Sequence, residues 1–186
     1  VAAVTTRIKL ATGIIILPQR NPLVLAKELA SVDVLSNGRM LFGVGVGYLE
    51  PEFDAIGIPM EDRGRRTTEY IEAMRSIWND EDPAYEGDYV SFAGVKAFPR
   101  PIQPLGPPVI MGGHSIPAWR RSVTHSQGWY GFMLDPEATS ANLAGLLEAD
   151  QKYERPSELG QLEITVTPRM RPGSEMIERY GELGVD

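Results

Sequence analysis

The feature that most constrains this chain is a row of glycines at alternate positions, Gly43, Gly45 and Gly47. The apolar residues between them predict a buried strand over 40–46 that ends in a loop just before Tyr48. Side chains alternate across a strand, so the three glycines share one side and leave it as bare backbone. Such a side marks close approach by another backbone or by a flat ligand. Glycines that only admit a tightly packed helix are the alternative.

A dinucleotide-binding turn does not fit this segment. That turn needs the pattern G-x-G-x-x-G running directly into a helix, with an acidic residue on the next strand. Here the third glycine, Gly47, comes one residue before the position that the pattern requires. The residues Tyr48-Leu49-Glu50-Pro51 stand where the helix should begin. The sequence instead predicts that a helix over 63–79 takes the chain back.

The residues before the glycine strand predict a strand and a helix. The stretch 7–17 is rich in β-branched residues and is interrupted by Gly13. Asn21 is the predicted N-cap of a helix that has Pro22 at its first position and ends at Asn37-Gly38. Strand, helix and glycine strand together make a βαβ unit, in which the strands are parallel.

The same alternation resumes in the second half of the chain. Between the two halves, the proline- and glycine-rich stretch 80–108 predicts an insertion with a small hairpin over 85–92, which is either a lid or a filler. In the helix that Asp135 caps, Leu143, Leu146 and Leu147 are predicted to be buried. The other predicted elements are strands over 108–111, 128–133 and 162–167 and helices over 116–125 and 174–183.

Five predicted strands, each followed by a helix, indicate a parallel sheet with right-handed crossovers. A whole eight-stranded βα barrel needs roughly 250 residues, and this chain has 186. We therefore predict the α/β class and an incomplete (β/α)8 TIM barrel. Residues 1–186 are expected to form a single domain, truncated at both ends, with the insertion inside it.

In a βα barrel, the site lies at the carboxyl ends of the strands. The clearest chemical element there is Gly112-Gly113-His114-Ser115. The glycines let backbone amides turn toward a ligand, Ser115 can cap the helix, and the helix N-terminus suits a phosphate. An ordinary capped turn is the alternative. His114 is predicted to be a phosphate donor or part of the pocket wall.

Composition excludes several other functions. The formal net charge of -7 argues against nucleic acid or an anionic membrane as the main partner. The chain has no cysteine and 2 histidines, which leaves no thiolate nucleophile and no convincing metal site. No G-x-S-x-G elbow surrounds Ser115, so a hydrolase is disfavoured. We expect a cytoplasmic protein without a structural metal.

Six motifs follow one another along the chain: Ala11-Thr12-Gly13-Ile14, Leu17-Pro18-Gln19-Arg20-Asn21-Pro22, Asn37-Gly38-Arg39, Gly43-Val44-Gly45-Val46-Gly47, Pro108-Val109-Ile110-Met111-Gly112-Gly113 and Gly128-Trp129. In this order they resemble the luciferase-like monooxygenase superfamily. The resemblance is strongest to the branch that uses the deazaflavin coenzyme F420. It covers the chain from about residue 6 to its end and implies a βα barrel of which strands 3 to 7 are present.

The resemblance also implies which residues bind the cofactor. Gly13-Ile14 falls at the bulge behind the reactive ring, where several deazaflavin enzymes have a non-prolyl cis peptide bond. In this family, residues after the first and second strands of the barrel often contact the ring and the substrate. By the resemblance, those two strands are absent from this sequence, so the catalytic residues stay unknown. The remaining implied cofactor-binding residues are Gly45, Gly47 and Tyr48 around the pocket, and Gly112, Gly113 and Ser115 at the phosphate, with His114 beside them.

The implied activity is hydride transfer between coenzyme F420 and an unknown organic substrate. The alternative is an FMN-dependent monooxygenase that uses O2 and reduced flavin from a partner flavin reductase. Bacterial luciferases carry a Cys-Arg pair where this chain has Gly45-Val46, and that arginine serves the flavin phosphate, so the difference disfavours FMN. A third hypothesis is a non-catalytic or truncated relative. Because an incomplete barrel leaves open strand edges, a homodimer or higher homo-oligomer is expected.

Overall fold

A computed structural model describes residues 1–186 as two compact units, Val1–Pro108 and Val109–Asp186. Each unit has its own parallel strands with helices between them, which is the α/β pattern that the sequence predicts. No helix of the chain combines the length and the apolar character needed to cross a membrane.

Three short strands form the sheet of the first unit. They are β1 (Leu10–Ala11), β2 (Ile15–Ile16) and β3 (Met40–Gly45), and both β1 and β2 pair parallel with β3. The interruption that Gly13 predicts thus splits one expected strand into two. The helices of this unit are α1 (Pro22–Ser36), α2 (Glu50–Ala55) and α3 (Arg63–Asn79), with single 3-10 turns at Ala2–Val4, Leu17–Gln19 and Met60–Asp62.

Local capping sets both ends of α1, as predicted. The Asn21 side chain accepts hydrogen bonds from the backbone N–H groups of Leu23 and Val24, at 3.0 and 3.1 Å. At the other end, Asn37 and Gly38 have φ angles of 58° and 72°. This left-handed backbone ends a helix, and asparagine and glycine adopt it at least cost.

The loop predicted just before Tyr48 is present at residues 46–49, but helix α2 follows it, where the sequence predicts no helix before residue 63. Pro51 lies in its first turn, and Glu50 and Glu52 are there too, where carboxylates favour the positive end of the helix dipole. Phe53 is its one fully buried side chain. A helix of 6 residues with a single apolar anchor has no hydrophobic period, so the sequence pattern could not reveal it.

The insertion carries the predicted hairpin, which is attached to α3. Its strands β4 (Tyr85–Glu86) and β5 (Ser91–Phe92) are antiparallel. The carboxylate of Glu69 on α3 accepts hydrogen bonds from three successive backbone N–H groups of the turn, residues 88–90, at 2.7 to 2.9 Å. The guanidinium of Arg66 lies 4.4 Å from the Tyr89 ring centroid. These contacts hold the hairpin on the helix.

The second unit has three parallel strands in the order β6 (Val109–Gly112), β7 (Gly128–Leu134) and β8 (Glu163–Pro168). Asp135 caps the helix after β7 by accepting from the N–H of Ala138 at 2.8 Å, as predicted. The helices are α4 (Ile116–His125), α5 (Pro136–Lys152) and α6 (Ser174–Glu182), with a 3-10 turn at Ser157–Leu159.

The core of the second unit forms around Trp129, Leu134 and Leu146. The prediction that Leu147 is buried is wrong, since 59% of it is exposed. Helix α5 instead packs closely against Trp119 at Gly145, where a Cβ would lie 2.4 Å from the Trp119 ring. The buried side of α5 carries Gly145, Leu146 and Ala149, and Leu147, one residue further round the helix than Leu146, lies outside it.

Candidate functional site

The first two predicted site residues, Gly13 and Ile14, lie in a bulge between β1 and β2. The Gly13–Ile14 peptide bond is cis, as the family resemblance implied. Just before it, the Thr12 hydroxyl donates to the Gly43 carbonyl at 2.9 Å, and the Thr12 N–H donates to the Leu41 carbonyl at 3.3 Å. These two hydrogen bonds hold the bulge against β3.

The glycine row of β3 accommodates this bulge. A Cβ on Gly43 would lie 1.8 Å from the backbone oxygen of Thr12, a distance that no side chain permits. A Cβ on Gly45 would lie 2.4 Å from Cδ1 of Ile14. Of the alternatives that the sequence left open, close approach by another backbone is therefore confirmed at Gly43. Gly45 is buried beneath Ile14, where it supports the bulge.

Gly47 and Tyr48 differ in their surroundings. Gly47 has a φ of 82°, and a Cβ there would lie 2.6 Å from the Phe53 ring, so both the backbone angle and the contact require glycine. Tyr48 is 80% exposed. In this unit, Gly13 and Tyr48 are thus the predicted site residues open to solvent, and Ile14 is half-buried beside them.

The predicted site residues of the second unit form the turn between β6 and α4. Gly112 ends the strand, and Gly113 has a φ of 126°, with its Cβ position 2.8 Å from the Ala118 side chain. Ser115 is the N-cap residue of α4, but its side chain makes no capping hydrogen bond. The hydroxyl group and the first N–H groups of the helix are the donor set that an oxyanion such as phosphate accepts from.

The imidazole ring of His114 makes two contacts within this unit. Its Nε2 accepts a hydrogen bond from the backbone N–H of Phe132 at 3.2 Å, and its ring centroid lies 6.0 Å from that of Trp129. The Trp129 indole N–H in turn donates to the Gly113 carbonyl at 2.8 Å. Burial lowers the pKa of His114 below its ordinary value, which favours the neutral imidazole.

The sequence predicts that residues 132–135 lie at the carboxyl end of a strand, where a βα barrel has its site, but it gives none of these side chains a role. Phe132 and Met133 are 55% and 46% exposed there, and the Tyr130 hydroxyl lies 2.7 Å from the Thr167 hydroxyl on β8. The strand period contains the signal that was missed. Alternation from the buried Trp129 places Tyr130 and Phe132 together on the opposite side of the strand.

Residues 1–177 match the family described as luciferase-like monooxygenase. An uncharacterized protein of Mycobacterium tuberculosis is 36% identical over 128 residues, which are 69% of this chain and 45% of that protein. The FMNH2-dependent dimethylsulfone monooxygenase of Pseudomonas fluorescens is 34% identical over 131 residues, 69% of this chain and 35% of that protein. The chain thus spans less than half the length of these relatives.

Among solved structures, the coenzyme F420-dependent tetrahydromethanopterin reductase of Methanopyrus kandleri superposes with a TM-score of 0.74 at 22% identity. The superposition covers 89% of this chain and 51% of the reductase. Likeness at this identity establishes the fold. The predicted fold class is therefore confirmed: the chain has the fold of about half of a luciferase-like TIM barrel.

Proposed function

Because this chain belongs to the luciferase-like monooxygenase family, whose members are oxidoreductases, we propose that it takes part in hydride transfer between coenzyme F420 and an organic substrate. When bound, the deazaflavin supplies a ring carbon that accepts or donates a hydride. The observation that carries the proposal is the Thr12–Ile14 bulge held over the glycine row. The order of the motifs and the Gly45-Val46 pair, in place of Cys-Arg, support F420 over FMN.

In this proposal, the bulge is a rigid backing for the coenzyme ring. Hydrogen bonds from Thr12 to the carbonyls of Gly43 and Leu41 fix its backbone. Ile14 and the exposed Tyr48 then offer apolar and aromatic surface to a flat ring. Residues locked by packing hold a bound ring in one orientation, which lowers the entropy lost on the way to the transition state.

The turn of residues 112–115 is proposed to hold the phosphate. The donors are the Ser115 hydroxyl and the backbone N–H groups at the start of α4, whose dipole favours an anion. Since the side chain of Ser115 makes no capping hydrogen bond, its hydroxyl can serve an anion without breaking a helix cap. F420 and FMN both carry a phosphate, so this turn alone does not discriminate between them.

Titration of the full-length protein with oxidised F420 and, separately, with FMN tests the proposal through the absorbance and fluorescence of each cofactor. Selective micromolar or tighter binding of F420 is the expected result. Ser115→Ala should weaken binding about 10- to 150-fold, the effect of one hydrogen bond to a charged group. Ser140→Ala, at an exposed position on α5, is the matched control and should bind as the parent does.

An FMN-dependent monooxygenase is the second candidate, and the similarity to the dimethylsulfone monooxygenase favours it. This enzyme would need reduced flavin from a reductase. Selective binding of FMN in the same titration would establish this candidate and overturn the first. A folded protein that binds neither cofactor would instead indicate a non-catalytic relative.

Self-association is a further part of the proposal. We propose that the protein works as a homodimer or higher homo-oligomer, because exposed strand edges favour pairing with another copy. Sedimentation velocity at two protein concentrations measures this directly. A single monomeric species at both concentrations would contradict it.

A further inference from the structure

The end of β7 departs from regular strand geometry. Its register against β8 shifts between Phe132 and Leu134, and Met133 within the shift has a φ of 53°. Few residues other than glycine and asparagine adopt this left-handed backbone. A strand end of this kind needs specific partners to stay in one place.

Two side chains supply those partners. Nε2 of His114 accepts from the N–H of Phe132 at 3.2 Å, and Nε of Arg169 donates to the carbonyl of Met133 at 2.9 Å. The backbone is thus held on both sides of the irregular residue, while the side chains of Phe132 and Met133 stay exposed at 55% and 46%. Large apolar side chains fixed at the carboxyl end of a parallel strand are placed to contact an organic molecule.

The hydrogen bond to Phe132 also decides which imidazole nitrogen carries the proton. A nitrogen that accepts is unprotonated, so neutral His114 carries its proton on Nδ1. An imidazolium has N–H on both nitrogens and cannot accept, so protonation must break this bond.

The cause of the lowered pKa of His114 is burial of the imidazole, which disfavours its charged form. A lowered histidine pKa means that the folded protein favours the neutral form. The stabilisation by His114 is therefore complete above the ordinary histidine pKa and is lost as pH falls through the lowered value in the folded state. The titratable and charged side chains on the adjoining elements are Arg120, Arg121 and His125 on α4, Tyr130 and Asp135 on and after β7, Glu163 on β8, and Arg169 and Arg171 after β8.

We infer that His114 is a positioning residue: as a neutral acceptor it holds the end of β7, and with it Phe132 and Met133, in place to contact the organic substrate. This inference rests on the proposed oxidoreductase for the identity of the molecule contacted. The hydrogen bond and its loss on protonation stand independently of that function.

Amide hydrogen exchange and histidine NMR on the protein without coenzyme test the inference. In the parent, long-range proton–nitrogen spectra should show His114 with an unprotonated Nε2, and His125→Gln assigns the signals because the chain has 2 histidines. The protection of the Phe132 amide should fall about 5- to 10-fold as pH drops through the His114 titration, the effect of one hydrogen bond. The Trp129 amide, on the same strand, is the internal control.

Two variants separate positioning from general packing. His114→Gln keeps an acceptor oxygen near the place of Nε2 and has no titration in this range, so the Phe132 amide should stay protected at every pH. His114→Ala should lose the protection at every pH. Equal protection in the parent and His114→Ala, or a proton on Nε2, would overturn the inference. Because no coenzyme is present, either result is independent of whether F420 binds.

Discussion

Replacing Gly43 with alanine tests whether the glycine row exists to admit the bulge. The new Cβ would lie 1.8 Å from the backbone oxygen of Thr12, whereas ordinary contacts begin at 3.4 Å. The obstructing atom is backbone, so it cannot move aside as the end of a side chain can. The bulge must shift by more than an ångström, and this movement breaks both hydrogen bonds that Thr12 makes to β3.

The expected loss follows from these contacts. Overpacking costs about 1 to 3 kcal/mol, and the two hydrogen bonds contribute about 1 kcal/mol each, so the free energy of unfolding should fall by about 3 to 5 kcal/mol. Gly45→Ala meets Ile14 Cδ1 at 2.4 Å, the end of a side chain that can rotate, and should cost about 1 kcal/mol. Urea unfolding followed by circular dichroism measures both values.

Gly181→Ala on α6 is the matched control. Nothing lies within 4 Å of its Cβ position, and its φ is not in the left-handed region. Alanine there should stabilise the helix by about 0.5 to 1 kcal/mol. If Gly43→Ala unfolds at the same urea concentration as Gly45→Ala, then the bulge does not depend on the bare backbone at Gly43 and the reasoning is refuted.

Three further predictions concern the anchoring of single segments. The buried carboxylate of Asp33 accepts from the backbone N–H groups of residues 102–103, so Asp33→Ala should lower the free energy of unfolding by about 3 kcal/mol, measured in urea. Arg39 donates to backbone carbonyls in the segment 2–8, and Arg39→Lys should speed amide exchange there because lysine lacks the planar fork. Gly113→Ala forces a φ of 126° on alanine and should weaken cofactor phosphate binding at least about 10-fold by titration.

Each of these predictions has its own control. Asp33→Asn keeps one acceptor oxygen and should lose less stability than the alanine variant. Exchange in α6 should be unchanged in Arg39→Lys. Gly160→Ala, with positive φ but an open Cβ position, should leave cofactor binding intact. An equal fall in the free energy of unfolding in both Asp33 variants would contradict the first prediction. Amide exchange that changes equally in α6 and in the segment 2–8 would contradict the second, and equal cofactor affinity in the two glycine variants would contradict the third.

Features set by neighbouring residues could be predicted from the sequence. Asn21 and Asp135 cap their helices, and Asn37-Gly38 ends α1, because capping involves atoms only a few residues apart. The hydrophobic period similarly predicted α3 at its observed bounds. Helix α2 lay beyond this reasoning, since its packing depends on Phe53 meeting Gly47.

The features of the candidate site likewise divide into those that neighbouring residues set and those that distant contacts decide. The amino-acid sequence by itself determined that Gly43 and Gly45 leave one side of a strand bare and that residues 112–115 form a turn at the start of a helix. Only the tertiary structure decided that the Thr12 carbonyl occupies the space above Gly43, and that His114 accepts from Phe132, 18 residues along the chain. Strand alternation and capping are local and repeat in every chain, whereas the partner of a bare backbone or of an imidazole nitrogen depends on which distant segment folding brings beside it.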